Sequence, residues 1–152
     1  MRIGPDSLAW TRGSGGSDRG LDPRGRRQIY DPGYVIVLDS SLLAVTDVAG
    51  GLIEGGSLLI NSPNPPQEVK PRLKGLRAGM RVATVDATSI ALEHLGLPIV
   101  NSAMLGAFCA VSGLVKLESL KRALADEFGG LGPKNIRAAE AAFAAVNRGE
   151  SA

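Results

Sequence analysis

Three short apolar runs constrain this chain more than any other feature. Tyr34-Val35-Ile36-Val37-Leu38 is continuous, rich in β-branched residues and ended by Asp39, and Ser57-Leu58-Leu59-Ile60-Asn61 and Arg81-Val82-Ala83-Thr84-Val85 repeat its form. Runs of this length without polar alternation belong to strands covered on both faces, the usual state of strands in a parallel sheet. Parallel neighbours need crossovers, and the intervening residues supply them. Ser41 to Ile53 carries Leu42, Leu43, Val45, Val48 and Leu52 ahead of Gly55-Gly56 and reads as a short helix, whereas Ser62-Pro63-Asn64-Pro65-Pro66 reads as a loop. Asp86 or Thr88 caps a further helix that runs to about Leu95 before Gly96 and Pro98. This βαβ rhythm predicts right-handed crossovers and helices on both faces.

Beyond this the chain reads as helical. Asn101 or Ser102 caps a helix of mostly small residues closed by Gly113, a helix suited to close packing under the sheet or at a subunit contact. Leu117, Leu120, Leu124 and Phe128 follow at helical spacing, with Glu118 and Arg122 as an i,i+4 pair. A last helix starts at Pro133 and places Ile136, Ala139, Phe143 and Val146 on one stripe. The resulting fold class is α/β, and 152 residues suffice for one such domain. With 44% apolar residues but only 4% aromatic, its core is filled by Val, Ile, Leu and Ala.

Residues 1–33 have a different character. Seven of the 20 glycines fall there, interspersed with Arg2, Arg12, Arg19, Arg24, Arg26 and Arg27, and apart from Ser7–Thr11, a candidate short strand, apolar residues are sparse. Such a stretch buries too little surface to offset its ordering entropy, so the division expected is a Gly/Arg-rich arm at 1–33 and a folded domain at 34–148. The glycines of Gly13-Ser14-Gly15-Gly16 are followed by Ser17-Asp18-Arg19-Gly20 and not by a helix, which favours a linker over a phosphate loop.

Several chemistries are excluded. Cys109 is the only cysteine and His94 the only histidine, so an internal disulfide, a thiolate zinc site and an iron–sulfur cluster are all out of reach of this chain. Cys109 sits among apolar neighbours and reads as packing, and His94 at a helix end reads as a partner of terminal carbonyls. No stretch reaches ~18 apolar residues and no apolar signal region opens the chain, which implies a cytoplasmic protein without a membrane partner. A formal charge of +2 sets no strong field, and the Arg24, Arg26, Arg27 cluster lacks the aromatic interleaving of a nucleic-acid surface. Asp39 and Asp86 follow parallel strands, where they serve either as ordinary caps or as ligand contacts. No catalytic constellation is visible.

Read in order, longer stretches go further. They are Gln28-Ile29-Tyr30-Asp31-Pro32-Gly33-Tyr34-Val35-Ile36-Val37-Leu38-Asp39, then Gly56-Ser57-Leu58-Leu59-Ile60-Asn61, then Val85-Asp86-Ala87-Thr88-Ser89. Pro98-Ile99-Val100-Asn101-Ser102-Ala103-Met104-Leu105-Gly106-Ala107 and Gly113-Leu114-Val115-Lys116-Leu117-Glu118-Ser119-Leu120 come next. Together they resemble the gamma subunit or domain of the 2-oxoacid:ferredoxin oxidoreductases, the pyruvate-type enzymes included. The resemblance implies a Rossmann-like, mostly parallel sheet with flanking helices. It also implies membership of a complex that decarboxylates a 2-oxoacid on thiamine diphosphate with Mg, passes electrons through iron–sulfur clusters to ferredoxin, and delivers the acyl group to coenzyme A.

Those cofactors lie mainly on the thiamine-binding and iron–sulfur subunits, which would be this chain's partners, so no cofactor is expected on this chain alone. Its own role would be assembly or coenzyme A access, without a complete active site. Asp39, Asp86, Asn101 and Met104 are then expected to face a ligand or partner, and Arg24, Arg26 and Arg27 to contact coenzyme A phosphates. Family members begin with a strand and a Gly-x-Gly-Gly-Gln-Gly turn, which this sequence does not contain; the domain is thus expected to lack the usual N-terminal βα unit. The rival expectation is a truncated, non-catalytic assembly or regulatory module.

Overall fold

The computed structural model describes residues 2–3 and 31–149. The predicted strand at Ser7–Thr11, the Gly13–Gly16 stretch and the Arg24, Arg26, Arg27 cluster lie outside them. The three apolar runs are the centre of a five-stranded sheet: β2 (Tyr34–Val37), β3 (Ser57–Asn61) and β4 (Arg81–Val85) are parallel and adjacent. β1 (Arg2–Ile3) adds antiparallel beside β2, and β5 (Asn147–Arg148) antiparallel beside β4.

Register divides the strand side chains between two cores. Val35, Leu58 and Val82 are aligned across the sheet, as are Ile36, Leu59 and Ala83 one residue on. Because side chains alternate along a strand, the first set faces one side and the second the other. On the first side Val35, Val37, Leu58, Ile60 and Val82 pack under Leu43, Leu52, Val69 and Met80. These covering residues come from the two crossovers, β2 to β3 and β3 to β4, so both crossovers cover the same face. On the second side Ile36, Leu59, Ala83 and Val85 meet Ala103, Met104, Ala107, Phe108 and Ala142.

The first crossover departs from expectation. In place of a helix from Ser41 to Ile53, a single turn, α1 (Leu42–Val45), is followed by turns. Asp47 Oδ1 accepts the Gly50 N–H at 2.8 Å, and Gly51 lies at φ 78°, a left-handed conformation. A side chain that captures a nearby N–H, followed by a left-handed glycine, competes with helix propagation. Leu43, Val48 and Leu52 still reach the core, leaving Val45 exposed. In the second crossover Ser62 to Pro65 forms the expected loop, and Pro66, its expected last residue, starts another single turn, α2 (Pro66–Val69).

The second face is covered by long helices. α3 (Ala87–Leu95) is capped by Asp86, whose Oδ1 accepts the Ser89 N–H at 3.0 Å, and it ends at Gly96, φ 74°. α4 (Asn101–Ser112) starts without a side-chain cap, because the N-cap position is Val100 and not Asn101 or Ser102; Gly113 closes it as expected. α5 (Leu117–Phe128) buries Leu120 and Leu124 but leaves Phe128 exposed. Glu118 pairs with Lys121 at 3.2 Å and not with Arg122, because Lys121 also reaches Glu140 at 2.7 Å on α6 and is held between both carboxylates.

α6 (Gly132–Ala145) buries Gly132, Asn135, Ala138, Ala139 and Ala142, so that of the expected stripe of Ile136, Ala139, Phe143 and Val146 only Ala139 is fully buried. Phe143 is exposed, and Ile136 and Val146 are half-buried. The cause is the closeness of α4: a Cβ built on Gly106 would stand 2.0 Å from the Ala139 carbonyl oxygen, so only small side chains fit the seam. Within it Ser102 Oγ donates to Asn135 Oδ1 at 2.7 Å, and Asn135 Nδ2 donates to the Leu131 carbonyl at 3.0 Å. Further out, Cys109, Leu120, Leu124 and Ala139 join α5 to the seam.

Candidate functional site at the strand ends

After β3 the chain turns to one face of the sheet and after β4 to the other. The connections therefore diverge at the carboxyl ends of the strands, the position at which open α/β sheets offer a crevice. A cleft of about 590 Å³ lies there, lined among others by Leu38, Asp39, Asn61, Asp86, Thr88 and Val100.

Asn61 organises the cleft floor. Its Nδ2 donates to the Leu38 carbonyl at 3.0 Å and to Thr88 Oγ1 at 2.9 Å, while its Oδ1 accepts the Ala87 N–H at 3.0 Å. One amide thus ties the end of β2 to the start of α3, using both of its donor hydrogens. The Ala87 N–H it satisfies is one of the donors that a helix N-terminus leaves without an intrahelical partner.

Both strand-end aspartates are engaged locally. Asp39 Oδ1 accepts the Ser41 N–H at 2.9 Å, and this bond, with a further one from the Ser41 side chain, holds its carboxyl below the usual range. Asp86 accepts the Ser89 N–H and, at 2.7 Å through Oδ2, the Ser89 hydroxyl. A second depression of about 310 Å³ shares Pro63, Asp86 and Ser89 with the first and continues past Glu93 to Asn147.

Of the residues singled out from sequence, Asp39 and Asp86 line the cleft, and Asn101 is exposed next to Val100 on its rim. Met104 is 2% exposed and packs in the core with Ile36 and Leu59, away from the cleft surface. His94 lies in the last turn of α3. Cys109 is buried, and burial pushes its thiol up, away from nucleophilic character. The residue that sequence reasoning passed over is Asn61. Its signal was the polar end of an otherwise apolar strand, one register position before Asp39 and Asp86, which follow β2 and β4.

Chemically, the cleft offers hydroxyls, an amide and carboxylates. No lysine, arginine, histidine or cysteine lines either depression. Among the described residues no three His, Cys, Asp or Glu side chains converge as a metal site requires, and no helix is long and apolar enough to cross a membrane.

Comparison with known proteins agrees with this fold. The profile of the pyruvate ferredoxin/flavodoxin oxidoreductase family matches residues 21–145. The chain belongs to that family. Among its relatives, the pyruvate/ketoisovalerate oxidoreductases common subunit gamma of Thermococcus kodakarensis is 50% identical over 119 residues, 78% of this chain and 63% of the relative. The pyruvate synthase subunit PorC of Methanocaldococcus jannaschii is 46% identical, over 78% of this chain and 62% of its own length. The chain thus spans less than two thirds of the length of these relatives. The crystal structure of the pyruvate oxidoreductase subunit PORC of Thermotoga maritima superposes with a TM-score of 0.73 at 31% identity, covering 83% of this chain and 70% of that one. A Rossmann-like, mostly parallel α/β domain is therefore the architecture of this oxidoreductase-family member.

Proposed function

We propose that this chain works as the gamma-type subunit of a 2-oxoacid:ferredoxin oxidoreductase acting on pyruvate or a related 2-oxoacid, and that it contributes an assembly surface and no complete active site. The observation that carries this reading is the family match over residues 21–145, together with relatives near 50% identity that are named as gamma subunits. The partners are the thiamine-binding and iron–sulfur subunits, with ferredoxin reached through the complex, in the cytoplasm. Thiamine diphosphate with Mg, iron–sulfur clusters and coenzyme A belong to the whole enzyme.

The described residues of this chain fit the cofactors poorly. One buried cysteine cannot supply cluster ligands. Phosphates are held by Arg, Lys or helix N-termini, and the strand-end cleft has no cation, while its nearest helix N-terminus is already taken by Asp86 and Asn61. A coenzyme A contact at Arg24, Arg26 and Arg27 remains part of the proposal, through their clustered positive charge. Calorimetry on the assembled complex tests it: replacing all three with Ala should weaken coenzyme A binding, and unchanged affinity sinks the contact.

The decisive experiment for the subunit reading is affinity purification of a tagged chain from its native host. Recovery of thiamine-dependent partner subunits, with coenzyme A-dependent oxidation of a 2-oxoacid in the eluate, is the expected result. A chain that emerges without such partners overturns the reading.

A further inference from the structure

Resting on the subunit reading, we infer that the strand-end groove seats a Lys- or Arg-bearing segment of a partner subunit, and does not seat a phosphorylated cofactor. Three observations carry this. Residues 31–149 hold eleven Lys or Arg and eleven Asp or Glu, so the folded body is neutral as a whole, yet every ionisable side chain lining the groove is a carboxylate: Asp39, Asp86 and Glu93. The cations are gathered elsewhere, with five of them and no acid in 70–81. Segregation of this kind makes a field that attracts cationic groups and repels phosphates.

The carboxylates are also spread out, and two of the three are fixed. Asp39 and Asp86 are held by the N–H groups of Ser41 and Ser89, and Asp86 stands where the two depressions meet, with Asp39 in one and Glu93 in the other. They do not converge on a common point as ligands of one ion would. A row of carboxylates, with Asp39 and Asp86 fixed, matches successive side chains of an extended chain. Finally, the groove has an apolar border suited to polypeptide: Leu38 is 44% exposed, and Leu97 and Ile99, on the segment whose Pro98 and Val100 line the cleft, are 56% and 53% exposed. Apolar contact beside complementary charge is the composition of a protein interface.

The test replaces the charges and keeps the shape. In Asp39→Asn/Asp86→Asn/Glu93→Gln each new side chain still accepts a hydrogen bond, and Asn is as good an N-cap as Asp. Association of the full chain with its co-purifying subunits, measured by sedimentation at 50 mM and 300 mM NaCl, should weaken at least tenfold in the triple variant at low salt. The gap should narrow at high salt as screening removes the wild type's advantage. Equal association of both proteins at low salt overturns the inference.

A second arm uses defined probes: an eight-residue alternating Leu-Arg peptide and coenzyme A, each titrated into the isolated chain while the amide signals of Asn61 and Ser89 are followed. The peptide should shift those signals in the wild type and at least tenfold less effectively in the variant, and coenzyme A should leave them unmoved. Coenzyme A shifting them, or the peptide acting equally on both proteins, overturns the groove assignment. If the wild type recovers no partner subunits, the subunit reading fails, and the probes alone decide what the groove holds.

Discussion

Gly106→Ala offers a direct test of how closely α4 and α6 approach. Gly106 does not lie in the left-handed region, so alanine suits its backbone, and an isolated helix would gain about 1 kcal/mol from the change. The seam reverses the sign. The new Cβ would meet the Ala139 oxygen at 2.0 Å and its carbonyl carbon at 2.6 Å, where real Cβ atoms essentially never come under 3.0 Å, so one helix must move by roughly an ångström. Ala103, Ala107, Ala138 and Ala142 are fully buried alongside, and all lose contact as the helices part. With roughly ten contacts per alanine at about 0.15 kcal/mol each, and about a third of each well forfeited by such a gap, the seam loses about 2 kcal/mol. Residual strain adds about 1–2 kcal/mol. Setting the propensity gain against this leaves about 2–3 kcal/mol of destabilisation, or a fall in Tm of about 5–10 °C for a chain of this size.

Urea unfolding and thermal circular dichroism would read the change. Gly130→Ala is the control, since a Cβ there meets nothing within 4 Å, and it should stay within about 0.5 kcal/mol of wild type. Because the obstructing atom belongs to the Ala139 backbone, adding Ala139→Gly should not restore stability. A Gly106→Ala protein as stable as the wild type would refute the close approach.

Further outcomes follow from particular bonds. Ser102→Ala leaves the buried Asn135 Oδ1 without its donor and should cost about 1–3 kcal/mol in urea unfolding. Asn61→Ala removes three hydrogen bonds at the strand ends and should cost about 2–3 kcal/mol, with amide exchange of Ala87 accelerated more than that of core strands. The Asp39 carboxyl, followed by NMR, should titrate below its ordinary 3.8. Since its folded value is depressed, its small stabilisation is present above 3.8 and lost as pH falls through the folded value, so Asp39→Asn should flatten the acid side of the stability profile. Cys109, buried and with its thiol raised by burial, should react with a disulfide reagent at pH 8 only as fast as the chain opens, and fully in urea.

The parallel core was legible because its signal is local and strong: three unbroken apolar runs became β2, β3 and β4 within a residue of their expected ends. Glycines with a backbone reason, Gly96 and Gly113, closed their helices as expected. What misled were signals whose meaning depends on a distant neighbour. Between Ser41 and Ile53, Leu43, Val48 and Leu52 are buried while Leu42 and Val45 are exposed, because Asp47 and Gly51 fold the backbone into turns in place of a helix. On α6 the larger side chains suggested the inward face, whereas the approach of α4 admits only Gly, Ala and the polar Asn135. At the strand ends Asp39 and Asp86 were visible from their positions. Asn61 was not, because its partners, Leu38 and Ala87–Thr88, lie more than twenty residues away on either side.

A seam of glycine and alanine is tight, but it is also smooth. Large side chains interlock and give each helix one longitudinal position; methyl groups present shallow ridges over which one helix can slip past another at little cost. Between α4 and α6 the feature that resists slippage is the hydrogen bond from Ser102 to Asn135, whose donor and acceptor are both buried and which a displaced helix could not remake. That single polar pair acts as the locating pin of an otherwise featureless bearing, setting where along its axis α4 comes to rest and, through Val100 at its start, where the rim of the strand-end cleft is placed.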